Sequence, residues 1–215
     1  MSEPESARRA ERTRTALLDA AEVLFAERGF AATRLEDIAE RVGIRRASIV
    51  YYYRDKRELY DAMIERVLVD LYAALAQGLS QGADLSQRIE AGISAWVDFV
   101  GARPSLARIV LREAADADPD RGNALLEHSQ RFHRLVAEQI LTHPDFEQTR
   151  FHPIDPVHLA STVVGATVFL VAAMPALMPK LPFDVLSPEH LEAHKNELLR
   201  IVRRLLGTRG PRLRP

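Results

Sequence analysis

Thr33-Arg34-Leu35-Glu36-Asp37-Ile38-Ala39-Glu40-Arg41-Val42-Gly43-Ile44-Arg45-Arg46-Ala47-Ser48-Ile49-Val50-Tyr51-Tyr52-Tyr53-Arg54-Asp55-Lys56 decides the fold. Two short helices meet at a glycine. Thr33 followed by Glu36 has the Thr-x-x-Glu spacing of a capping box, which predicts a helix starting after Thr33. Leu35, Ile38, Ala39 and Val42 fall at helical spacing and make one apolar face. Gly43 stands where a tight turn needs positive φ. Ile44 and Ile49 return the chain to the core. This is the pattern of a helix-turn-helix.

The second helix of such a unit enters the DNA major groove by its N-terminal residues. Here these are Arg45, Arg46, Ala47 and Ser48, with Tyr51 and Tyr52 behind. Arginine pairs bidentately with guanine or phosphate, and hydroxyls suit phosphate oxygens. From Arg41 to Arg57, six basic side chains face one acid, Asp55, in a chain whose net charge is −1. Thr33, Arg45, Arg46, Ala47, Ser48, Tyr51, Tyr52 and Lys56 are therefore the expected DNA-contacting set, Thr33 through its backbone and Lys56 through phosphate.

These residues, with Leu17 to Phe30 upstream and Leu59 downstream, resemble the tetracycline-repressor (TetR) family of transcriptional regulators over roughly the first 60 positions. Two positions depart from the pattern. Arg45 stands where the family usually has a small hydroxyl residue, and Val50 where it usually has an aromatic that touches phosphate; Tyr51 or Tyr52 would take over that contact. The resemblance implies an all-α protein: a three-helix DNA-binding domain over 1–54, then a helical effector-binding and dimerisation domain over 55–215. It also implies double-stranded operator DNA and a partly hydrophobic small-molecule effector as partners, and a homodimer. A regulator or activator with no effector is the alternative.

The rest of the chain reads as helices. One is expected from Arg8 to Arg28, with Leu17, Ala21, Leu24 and Phe25 buried and Gly29 closing it. Asp55 and Glu58 open a long helix reaching Leu79. Others are expected over 85–100, 105–115, 124–142, 157–174 and 188–206. No alternating strand pattern occurs. Trp96, Phe99, Ile109, Leu126, Phe132 and Phe169, with Arg112 as a polar member, are candidates for an effector pocket. The stretch Leu159 to Pro179 carries no charge. Its Ser161, Thr162, Gly165 and Thr167 and its prolines favour a dimer helix over a membrane span. Val164, Gly165 and Val168 would pair with Leu198, Ile201, Val202 and Leu205 in a four-helix seam.

Composition excludes several chemistries. The 215 residues contain no cysteine, so disulfides and thiol catalysis are out. The polar start carries no apolar run, and the expected location is the cytoplasm. His190 and His194 have metal-sharing spacing but no third ligand, so solvated histidines are expected. No catalytic motif is present, and neither enzyme activity nor a cofactor is expected.

Overall fold

A computed structural model describes residues 5–115, 134–135, 138, 140 and 156–205. Every regular element among them is helical. In chain order these are α1 (Glu5–Ala32), α2 (Leu35–Val42), α3 (Arg46–Ile49), α4 (Lys56–Leu79), α5 (Leu85–Ala102), α6 (Pro104–Ala115), α7 (Pro156–Val168), a π-helical turn (Phe169–Ala173), α8 (Met174–Leu177) and α9 (Pro188–Leu205). The helix expected over 124–142 lies largely outside the described residues.

Helix α1 runs straight until Gly29, whose φ of 79° and ψ of 169° break it. That backbone region is open essentially to glycine alone. The chain then turns through Phe30 into α2. The capping box expected at Thr33 is not formed. Arg34 is the N-cap of α2 and offers no side-chain bond. Thr33 points the other way, buried, and its hydroxyl donates to the carbonyls of Gly29 (2.8 Å) and Leu24 (3.2 Å). It closes the end of α1, where carbonyls lack helical partners. Gly43 terminates α2 in the left-handed conformation, φ 75°. Asp55 caps α4 as expected, accepting from the Glu58 amide at 2.9 Å.

Lys56 fastens this arrangement. Its ammonium donates to the carbonyls of Phe30 (2.7 Å), Thr33 (3.0 Å) and Ala31 (3.3 Å) and lies 4.5 Å from the centre of the Phe30 ring. An ammonium has three N–H groups, and all are engaged. The expectation that Lys56 serves phosphate is corrected accordingly: its charge is spent on the exposed end of α1, which a cation suits.

One continuous core joins all the described helices except α8. Leu17, Phe25, Ile38, Ile49, Leu59 and Met63 centre it beneath the helix-turn-helix, and Val67, Leu71, Leu75, Val97 and Val100 carry it onward between α4 and α5. Helix α6 lies on α1, and α9 lies on α5. We place the boundary between the two domains after Arg54, as a proposal. α4 starts beyond it and serves both units, since its first turns pack on α1 and its later turns on α5.

Two substitutions test this frame. Gly29→Ala should cost about 1–3 kcal/mol through backbone strain. Lys56→Ala should cost about 2 kcal/mol, the net worth of charge-assisted bonds to carbonyls. Urea unfolding followed by circular dichroism measures both, with unchanged m-values expected.

Candidate nucleic-acid interface and its coupling to the second domain

The residues that open α3 face outward. Arg45 is its N-cap, and Arg45, Arg46, Ala47 and Ser48 are all exposed. Ile49, fully buried, anchors the helix from below, and Tyr53 is buried one turn on. Tyr51 is 81% exposed, whereas Tyr52 is half-buried and packs edge-on against Tyr51 with ring centres 5.2 Å apart. Of the two tyrosines, Tyr51 thus presents its hydroxyl to a partner beside the exposed Val50. Arg46 is not idle: its Nε lies 2.8 Å from the Glu36 carboxylate on α2, an ion pair between two exposed side chains. Arg45 forms no ion pair among the described residues. Thr33, expected to contribute through its backbone, is only 1% exposed and its carbonyl accepts from Lys56, so it does not lie on this surface.

A second polar cluster, unforeseen from the sequence, ties this unit to the helices behind it. Glu22 of α1 is buried, and three groups converge on its carboxylate. Ser105 Oγ donates at 2.5 Å, Arg103 at 3.0 Å and Arg66 at 3.4 Å. Arg103 also reaches Asp70 at 2.6 Å, and Arg66 reaches Asp19 at 2.8 Å. A buried carboxylate is tolerable only when so surrounded. The signal available in the sequence was Glu22 sitting on the stripe of Leu18, Ala21 and Phe25, where an acid has no place unless paired.

The far end of α6 is held as well. Arg112 donates to the Glu27 carbonyl at 3.0 Å, and Tyr60 donates its hydroxyl to Glu113 at 2.5 Å. Tyr60 packs edge-on against both Phe25 and Phe30. Burial first, then the Glu113 acceptor, pushes the Tyr60 phenol well above its ordinary range. Helix α6 is therefore attached to the N-terminal unit at both ends.

The expected pocket wall is not assembled as a set. Trp96 and Ile109 are buried and Phe99 is half-buried, under Arg103 at 5.7 Å. Arg112 belongs to the attachment just described. Phe169 is 51% exposed on the outer face of the π-helical turn. Leu126 and Phe132 lie outside the described residues. Trp96 Nε1 is buried with no acceptor.

The expected seam is also redrawn. Val168, Leu198 and Val202 are buried inside the subunit, where they hold α7 and α9 to their own core. Val164 is half-buried, and Gly165 and Ile201 face outward, as does Phe169. The Leu205 side chain lies outside the described residues. The histidines are not simply solvated. His194 faces Thr167 at 3.3 Å, and burial lowers its pKa; His190 meets Ser187 at 2.8 Å and stacks on Phe183. The helical run His158–Leu177 is long and apolar enough to cross a membrane, with mean hydropathy 1.9.

Residues 17–63 match the family of bacterial regulatory proteins called the tetR family. The N-terminal unit thus carries the sequence pattern of the tetR family. The HTH-type transcriptional activator FasR of Mycolicibacterium smegmatis is 35% identical over 84 residues, 39% of this chain and 38% of that protein. The transcriptional repressor KstR2 of Rhodococcus jostii is 33% identical over 96 residues, 45% and 47% of the two chains. This chain thus spans less than half the length of either curated relative in its match. Among solved structures, the regulator FadR from Bacillus subtilis, in complex with stearoyl-CoA, superposes with a TM-score of 0.70 at 16% identity, over 91% of this chain and 99% of that one. The likeness to FadR shows a fold shared over nearly the whole of both chains.

Tyr60→Phe tests the attachment of α6. The folded protein holds the Tyr60 proton more tightly than the unfolded chain, whose phenol ionises near 10. Stability from this site is complete below that pH and declines above it. The variant should lose about 1–2 kcal/mol at neutral pH. It should also show a shallower fall in stability between about pH 10 and 11, measured by thermal melting.

Proposed function

We propose that this TetR-family protein is a ligand-responsive repressor that binds a palindromic operator as a homodimer and is released by a small-molecule effector. The observation that carries the reading is the leading edge of α3: Arg45, Arg46, Ser48 and Tyr51 lie exposed together on a helix whose other side is locked into the core. Arginine supplies base readout and phosphate attraction, Ser48 and Tyr51 supply phosphate contacts, and Ala47 permits close approach to the groove.

Two copies are needed to face a palindrome, with recognition helices about 34–36 Å apart, or a multiple of it. Gly165, Phe169 and Ile201 support a second copy of this chain as the cover for the outer face of α7 and α9. That pairing also accounts for the apolar run 158–177 without a membrane, and the protein would work in the cytoplasm. The effector reading rests on Trp96. A buried indole N–H without an acceptor costs about 1–3 kcal/mol, which a bound molecule carrying an acceptor would recover. FadR, with stearoyl-CoA bound in the same fold, supports a partly hydrophobic effector. An effector there would change the tilt of α4, and with α6 fixed to α1 the whole N-terminal unit would turn as one body. Both half-sites could then no longer be met together. The likeness to the activator FasR favours a second reading, in which the same DNA-binding dimer activates.

Selection of binding sites from random duplex DNA, with sedimentation of the complex, tests the proposal. A palindromic consensus bound by two subunits is expected. Arg46→Ala should weaken operator binding by about 1–3 kcal/mol and relax preference at one position in each half-site. A monomeric protein indifferent to duplex sequence would overturn the reading.

A further inference from the structure

Val50 is an apolar side chain left open to solvent on the reading helix. Among the described residues of the N-terminal unit, only two large apolar or aromatic side chains are exposed, Val50 at 56% and Tyr51 at 81%. They are neighbours at the end of α3. The backbone keeps its helical form there. Val50 has φ −61° and ψ −20°, and the amides of Tyr52 and Tyr53 both donate to the Ile49 carbonyl at 2.8 Å. Positions three and four apart therefore share a face. Ile49 and Tyr53 share the buried one. Val50 shares the outer one with Arg46 and Ala47, both exposed. A lone surface valine needs no explanation, but this one stands in the row that would face DNA.

We infer that Val50 is a specificity-determining residue that reads the C5-methyl group of one thymine in each half-site. This rests on the DNA-binding reading above. Val50 has no donor to offer, so a phosphate is a poor partner for it. Seating it there would strip water from the anion and return no hydrogen bond. The base edges of the major groove present one apolar group, the thymine methyl, and an aliphatic side chain is its complement. Ala47, three positions back, carries nothing beyond Cβ and leaves the approach open. Cytosine has no methyl at that place, so the contact separates the two pyrimidines without any hydrogen bond. The arginines beside it supply attraction to the duplex, and Val50 adds discrimination where charge supplies none.

The test uses the duplex that the full chain selects from a random pool. Each thymine is replaced in turn by deoxyuridine, at the same position of both half-sites, and binding is titrated. The replacement removes the methyl and leaves every hydrogen-bonding group in place. At one position it should weaken wild-type binding by about fourfold for each half-site, the worth of one buried methyl group. Val50→Ala should lose as much on the thymine duplex, bind the deoxyuridine duplex as the wild type does, and show no preference between the two. Its thermal melting should match the wild type, since the altered side chain is exposed. The inference is overturned if no replacement weakens the wild type, if Val50→Ala keeps the penalty, or if folded Val50→Ala weakens both duplexes alike. A wild type that selects no sequence at all would instead sink the DNA-binding reading itself.

Discussion

The ammonium of Lys56 sits where two carbonyls at the end of α1 and that of Thr33 just beyond it converge, and the helix-turn-helix is the loop that this contact closes. Thr33 and Lys56 are separated by 23 positions in sequence and 3.0 Å in space. Everything between them, α2, Gly43 and α3, is pinned at its two ends. A four-residue recognition helix has little stability alone, because nucleating a helix costs more than so few bonds return. It persists because Ile49 and Tyr53 are buried beneath it and because the loop that carries it cannot open without exposing unpaired carbonyls. The reader is thus held from below and from its ends, leaving its outer edge free for DNA.

Local signals in the sequence were legible where one residue type has one use. Gly29 and Gly43 marked the breaks of α1 and α2, Asp55 with Glu58 marked the start of α4, and the apolar spacing of α2 named its buried side correctly. The failures share a different cause. Thr33 has a hydroxyl that suits either an N-cap or the end of the preceding helix, and spacing cannot choose between them. Lys56 is equally suited to a phosphate or a carbonyl cluster. Val168 lies on a helix apolar on nearly all sides, and Leu198 and Val202 lie on the apolar stripe of α9; periodicity alone does not say whether such residues meet the subunit's own core or a second copy. Glu22 stood out on its apolar stripe, but its partners were unreadable because they lie 44, 81 and 83 positions away.

Helix α6 changes how the two domains should be regarded. A ligand-sensing domain is easily pictured as a separate body that pushes on the DNA reader through α4. Here α6 is bonded to α1 by Ser105, near its start, and by Arg112 near its end, and to α4 by Glu113. It belongs mechanically to the reader.

The buried Glu22 carboxylate has a consequence for how the molecule comes apart. Were the N-terminal unit to melt alone, Arg66 and Arg103 would be left around a vacated site, and were the second domain to melt first, an acid would be stranded in an apolar stripe of α1. Neither half can lose its shape cheaply while the other keeps it. The two domains are thereby bound into a single cooperative unit, and damage to either one is felt by both.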